Sequence, residues 1–201
     1  MKTKTVIYVH GLGGAASESD RLGVLFPGCD VIGFDYRAQT PIEAADEFPA
    51  YFDKLSENRG PVILAANSIG AYYSMISLTK KQVEKAFFIS PVVDMEALVR
   101  RIMTVNGITD RELQEKKEIT VGSGQTLSWD YFEYVKDHPV KWDVPTEILY
   151  GENDALVPRD EIAVFSVKTG SGLTVMKNGE HWFHTSAQLS FLDSWIRSKT
   201  K

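Results

Sequence analysis

Short apolar runs recur along this chain, and amphipathic stretches of helical length separate most of them. Thr5–His10, Asp30–Phe34, Val62–Asn67, Ala86–Ser90, Thr146–Tyr150 and Leu173–Met176 favour Val, Ile, Leu, Phe and Tyr and read as strands. The intervening segments carry a helical period. Pro41–Asn58 opens on a proline and places Phe48, Tyr51, Phe52 and Leu55 on one face. Ile69–Lys80, Pro158–Lys168 and Ser186–Ser198 read as further helices. Strands alternating with helices predict an α/β domain, a mostly parallel sheet of about six strands covered by helices on both faces. The unbroken apolar runs Val62–Ala66 and Ala86–Ile89 fit strands buried on both sides.

The interval 94–143 departs from this rhythm. Met95–Val105, Asp110–Lys117 and Ser128–Asp137 read there as three short helices, the first two charged and the third aromatic. A Gly122-Ser123-Gly124 turn lies among them. The reading is one domain over residues 1–201 with an insertion at 94–143.

Composition narrows the class. The chain has 201 residues, 43% hydrophobic and 24% charged, the proportions of a folded globular domain. Net charge is −5, and no basic cluster exceeds Arg100-Arg101 or Lys80-Lys81, which argues against a nucleic-acid partner. Cys29 is the single cysteine, so no intramolecular disulfide can form. Met1-Lys2-Thr3-Lys4 runs directly into the first strand without an apolar signal core, and no apolar run reaches membrane-spanning length. The expectation is a cytoplasmic protein with no membrane partner; the sequence sets no oligomeric state.

The chemistry concentrates at strand ends. Leu64-Ala65-Ala66-Asn67-Ser68-Ile69-Gly70-Ala71 takes a strand into a helix with a serine at the apex. Such a turn holds the serine at positive φ and lifts its hydroxyl out of the sheet, and only small neighbours let strand and helix pass so closely. Gly70 provides that room, and Ala66 stands where the usual Gly-x-Ser-x-Gly pattern has its first glycine.

A serine hydroxyl needs a base, and the base needs an orienting carboxylate. Asp154 lies in the loop after Thr146–Tyr150, and His181 in the loop after Leu173–Met176. Near the amino terminus, the first strand empties into His10-Gly11-Leu12-Gly13-Gly14, where glycines let backbone N–H groups approach a reacting carbonyl. The Leu12 and Ile69 amides are the candidate oxyanion donors.

Rival residues exist. His184 shares a loop with His181 and could be a surface or capping residue. Asp94 follows the Ala86–Ser90 strand, and Asp35 the second strand. His10 reads as a structural support of its loop, and His138 as an exposed turn residue. His181 and His184 could ligate zinc, but no third clustered ligand accompanies them, so no metal or cofactor is expected. Trp129, Phe132 and Trp182 are candidate pocket residues; the aromatics of 94–143 either line a pocket or pack that segment onto the body.

With these pieces the sequence resembles the α/β-hydrolase superfamily, through the His10-Gly11 loop, the Ser68 elbow, Gly151-x-x-Asp154 with Val157-Pro158, and Gly179-x-His181. The resemblance runs from Thr5 to about Trp195. It implies the triad order Ser68, Asp154, His181, a reduced sheet, and a helical cap or lid at 94–143 over the site. It further implies acyl transfer from a small-molecule acyl substrate, with a carboxylic ester as the first reading. A thioester or small amide cleaved on the same triad, or a low-turnover ligand-binding relative, stay open.

Overall fold

The computed structural model describes residues 4–122 and 124–200. The expected entry of Met1–Thr3 into the first strand, and Ser123 of the expected turn, lie outside them.

The strands are β1 (Lys4–Val9), β2 (Cys29–Gly33), β3 (Val62–Asn67), β4 (Val83–Ile89), β5 (Glu118–Thr120), β6 (Thr126–Ser128), β7 (Thr146–Gly151) and β8 (Gly172–Met176). The helices are α1 (Ser19–Leu22), α2 (Pro41–Arg59), α3 (Ile69–Ser77), α4 (Met95–Val105), α5 (Asp110–Lys116), α6 (Trp129–Asp137), α7 (Arg159–Thr169) and α8 (Ser186–Lys199). The main sheet runs β2-β1-β3-β4-β7-β8, with every adjacent pair parallel. The six strands and four main helices therefore fall where the hydrophobic pattern puts them.

Period-two alternation splits the strands' apolar residues between two cores. Ile7, Val9, Leu64, Ala66, Ala86, Phe88, Ile148 and Tyr150 join the cluster containing residues of α2, α3, α4, α6 and α7. Val6, Tyr8, Ala65, Phe87, Ile89 and Leu149 join the opposite cluster with Leu22 of α1 and Leu192, Trp195 and Ile196 of α8. Residues of both kinds within one strand are buried, which is why the runs read as continuous rather than alternating.

Local signals set the helix ends. Thr40 caps α2 by accepting from the Glu43 N–H, Glu43 returns the bond to the Thr40 N–H, and Pro41 occupies the first helical position. Thr185 and Gln188 repeat the device at α8.

The insertion holds the three expected helices and also an antiparallel hairpin, β5–β6, that the sequence reading missed. Strands of three residues are too short to display a period. The insertion shares the body's core: Leu98, Leu113, Leu127, Phe132 and Trp142 belong to one cluster with Phe48, Tyr72 and Tyr73. Helix α6 packs on α2 and α4. The short α1 was likewise unforeseen.

Strand order reverses at β1, whose neighbours β2 and β3 lie on opposite sides. The crevice beyond the carboxyl ends of β1 and β3 is where open parallel sheets place ligands. The His10–Gly14 loop and Ser68 both emerge there.

Candidate active site

Ser68 sits between β3 and α3 with φ 51° and ψ −120°. This left-handed, strained backbone is the conformation the elbow pattern predicts. The elbow is fastened on two sides. The Ser68 N–H donates to the Ile89 carbonyl at 3.0 Å, and the Ser68 carbonyl accepts from the Val92 N–H at 3.2 Å. Gly70 has no tolerance for a side chain, because a Cβ there would lie 2.2 Å from the His10 carbonyl oxygen.

His181 reaches the serine from the β8 loop. Its Nε2 is 2.9 Å from the Ser68 hydroxyl oxygen, and its Nδ1 is 2.7 Å from Oδ2 of Asp154. The other Asp154 oxygen accepts the N–H groups of Leu156 and Val157 at 2.8 and 2.9 Å. The Asp154 side chain is fully buried, whereas the His181 ring is 21% exposed. A buried carboxylate with its acceptor sites filled holds the Nδ1–H tautomer of His181, which leaves Nε2 as an acceptor for the serine proton.

The acid and histidine loops are tied to each other. The Asn153 N–H donates to the Gly179 carbonyl at 2.7 Å, and the Glu152 N–H to the Met176 carbonyl at 3.0 Å. Gly151 permits the crossing: a Cβ there would meet the Glu180 carbonyl oxygen at 2.5 Å.

The loop after β1 presses against the elbow, and a Cβ on Gly11 would be 3.1 Å from the Ser68 Cβ. A tight turn closes from the Gly14 N–H to the Gly11 carbonyl, leaving the Leu12 amide outside the turn's own bond. Ile69 opens α3, so its N–H has no acceptor within the helix. Tyr36 holds this loop, stacking on His10 at 4.4 Å and donating its hydroxyl to the His10 carbonyl at 2.9 Å. His10 Nδ1 is 2.9 Å from the Gly11 carbonyl, the structural role anticipated for it. Burial, with Glu47 and Glu18 nearby, pushes the Tyr36 hydroxyl up to about 12, so it stays a donor.

The rivals occupy other roles. Asp94 caps α4 by accepting the Ala97 N–H at 2.9 Å. Asp35 is exposed on the loop after β2. His184 directs Nδ1 to the Trp182 carbonyl, and His138 directs its own to the Tyr134 carbonyl. No group of three or more His, Cys, Asp or Glu side chains suited to a metal exists among the described residues. Among them, too, no helix is long and apolar enough to cross a membrane.

The pocket expectation needs correction at two positions. Phe132 is fully buried and Trp129 is 7% exposed, and both belong to the core beneath α6. They stack edge-to-face, and the Lys136 ammonium covers both rings. They serve to pack the 94–143 segment onto the body. Trp182, beside His181, is 70% exposed, and Leu12 is 85% exposed.

Tyr36 and Arg101 escaped the sequence reading. Arg101 of α4 pairs with Glu161 of α7 and donates to the Leu156 carbonyl, joining the insertion to the acid loop. No local pattern distinguishes either residue from an ordinary surface tyrosine or arginine.

Comparisons with known proteins place this architecture. No family model matches the chain. A Mycoplasma genitalium protein that bears an unproven esterase/lipase designation is 30% identical over 105 residues, which is 45% of this chain and 37% of that protein. The match therefore spans little more than a third of that relative's length. Est1E from Butyrivibrio proteoclasticus superposes with a TM-score of 0.76 at 18% identity, covering 98% of this chain and 87% of its own. Mouse alpha/beta hydrolase domain-containing protein 10 gives 0.76 at 19% identity, covering 98% and 90%. An esterase from Pyrococcus furiosus gives 0.65 at 19%, covering 98% and 80%. The fold is that of the α/β-hydrolases.

Proposed function

We propose that this α/β-hydrolase-fold chain is a serine hydrolase that cleaves a carboxylic ester through an acyl-enzyme. The observation carrying the reading is the continuous relay from the Ser68 hydroxyl through His181 to the buried Asp154, at 2.9 and 2.7 Å.

In this mechanism His181 Nε2 takes the Ser68 proton as the serine oxygen bonds to the ester carbonyl carbon. The carbonyl electron pair moves onto oxygen, where the Leu12 and Ile69 amides receive it. A preorganised donor of this kind is worth about 3 kcal/mol in the transition state. The tetrahedral intermediate collapses, the C–O bond to the alcohol breaks, and His181 returns the proton to the leaving oxygen. Water then repeats the sequence: His181 deprotonates it, it attacks the acyl carbon, and Ser68 leaves with the proton. Asp154 stabilises the imidazolium formed in each half. No step calls on a cofactor.

The substrate is a small acyl ester, and its groups nearest the reacting bond rest against Leu12 and Trp182, the large apolar side chains exposed beside the oxyanion loop and the histidine. The 94–143 segment serves as a wall of the site, held to the acid loop by Arg101. The enzyme works as a soluble cytoplasmic protein with no nucleic-acid or membrane partner.

Labelling with a fluorophosphonate tests the reading. One adduct, mapped to Ser68 and lost in Ser68→Ala with an unchanged fold, is the expected result. Adducts on another serine, or hydrolysis of p-nitrophenyl esters undiminished in Ser68→Ala, would overturn it.

A further inference from the structure

The peptide joining Leu156 to Val157 in the acid loop is bonded at both ends. Its N–H, that of Val157, donates to Oδ1 of Asp154 at 2.9 Å. Its carbonyl, that of Leu156, accepts Nη2 of Arg101 on α4 at 3.3 Å. The Leu156 N–H also reaches Oδ1 at 2.8 Å, and the Val157 carbonyl accepts the Tyr150 hydroxyl at 2.8 Å. The turn that holds the carboxylate is therefore braced from behind, by a buried phenol on one carbonyl and a cation on the other.

Arg101 is itself aimed. Its Nη1 pairs with Oε1 of Glu161 on α7, so the planar guanidinium forks between a carboxylate and the loop carbonyl. Both side chains are only partly exposed. The other Glu161 oxygen is buried without a hydrogen-bond partner among the described residues, so no second donor draws that carboxylate away from Arg101.

A cation on a peptide carbonyl draws electron density toward the oxygen and makes the N–H at the other end a stronger donor. A line of hydrogen bonds thus runs from Arg101 through one peptide to Asp154, and from there through His181 to Ser68.

We propose that Arg101 is a positioning residue for ester cleavage: it fixes the Leu156–Val157 peptide, and through that peptide the Asp154 carboxylate that orients His181. The inference rests on the proposed role of Asp154 and extends it to the 94–143 segment. That segment then supplies support for the acid as well as a wall of the site. Arg101 acts only through the loop, since its hydrogen bonds go to Leu156 and Glu161.

The test is a double-mutant cycle on p-nitrophenyl acetate hydrolysis by the full chain, with initial rates read beside thermal melts. Arg101→Lys keeps a cation for Glu161 but loses the fork. Arg101→Met combined with Glu161→Gln removes the contact without stranding a half-buried carboxylate, and covers the case in which the lysine variant misfolds. Each should lower kcat about tenfold, the scale of one lost hydrogen bond to a charged group, with KM within about twofold. In an Asp154→Asn background the same changes should cost less than about twofold further, because the group they act through is gone. An equal tenfold loss in both backgrounds, a loss carried by KM, or full kcat in the folded variants would overturn the proposal and leave the reading of Ser68 intact. A Ser68 that takes no fluorophosphonate, or an Asp154→Asn chain as active as the original, would overturn that reading and this inference with it.

Discussion

Oδ2 of Asp154 and Nδ1 of His181 meet at 2.7 Å although the two residues lie on loops after different strands. Sheet pairing produces the meeting. β7 and β8 are parallel neighbours in register through Gly151 and Met176, so their loops leave the same edge side by side. The Asp154–His181 contact thus starts from the ladder, and the two loops complete it.

Asp154→Asn should lower ester turnover about ten-thousandfold while the protein stays folded. The asparagine carbonyl can still accept the Leu156 and Val157 amides, but its NH₂ would face Nδ1 and reverse the tautomer of His181. Asp94→Asn keeps a competent helix cap and should leave turnover within about twofold. Steady-state kinetics with a matched thermal melt separates the two, and a larger loss at Asp94 would move the acid to the loop after β4.

Replacing the two histidines of the β8 loop should give unequal results. His181→Ala removes the base and should cost on the order of a millionfold in turnover. His184→Ala removes a bond to the Trp182 carbonyl, a contact with Glu180 and a ring contact with Trp182, none of which reaches Ser68, and should change turnover less than about tenfold. Equal losses would contradict the assignment.

Gly151→Ala should damage activity from a residue outside the relay. Its Cβ would sit 2.5 Å from the Glu180 carbonyl oxygen, next to His181. Backbone must shift, with an expected stability loss of about 1–3 kcal/mol and a fall in kcat larger than any change in KM. Denaturant unfolding beside initial rates checks both, and full activity would show that the crossing relaxes without moving the histidine.

Tyr36→Phe should keep the stack on His10 and lose the hydroxyl bond to its carbonyl. A loosened oxyanion turn predicts about a tenfold drop in kcat, little change in KM, and retained fluorophosphonate labelling. An unaltered kcat would leave Tyr36 as packing alone.

The aromatics divide by burial. Phe132→Ala should cost about 3–5 kcal/mol of stability and leave the acyl-length preference of the folded fraction unchanged. Trp182→Ala should cost little stability and shift the preference among ester substituents. A p-nitrophenyl ester series beside melting curves reads both, and a length shift in Phe132→Ala would return the cap aromatics to the pocket.

The sheet was legible because β3, β4 and β7 are apolar over most of both faces, and the candidate site residues because they lie at or beyond the carboxyl ends of parallel strands: Ser68 directly after β3, Asp154 in the loop after β7 and His181 in the loop after β8. The hairpin β5–β6 was not, since three-residue strands show no period and their pairing is decided by contacts distant in sequence. The role of Trp129 and Phe132 was equally hidden. An aromatic on a helix fits a pocket or a core alike, and only their burial under α6, with Lys136 over the rings, settles which. Tyr36 supports His10 across a gap of 26 positions, a relationship no local pattern encodes.

The hairpin turn at Gly122 and Gly124 also divides the chain's chemistry. Every residue proposed to attack or to hold the oxyanion precedes it, and both residues proposed to move or steer the proton follow it. Cleavage of the backbone there would yield a donor half and an acceptor half, each inert alone. They could find one another through the β4–β7 ladder, whose two strands would come from opposite fragments. The proposed relay therefore needs both sides of that turn at once, and the β4–β7 ladder is one of the contacts that hold them together.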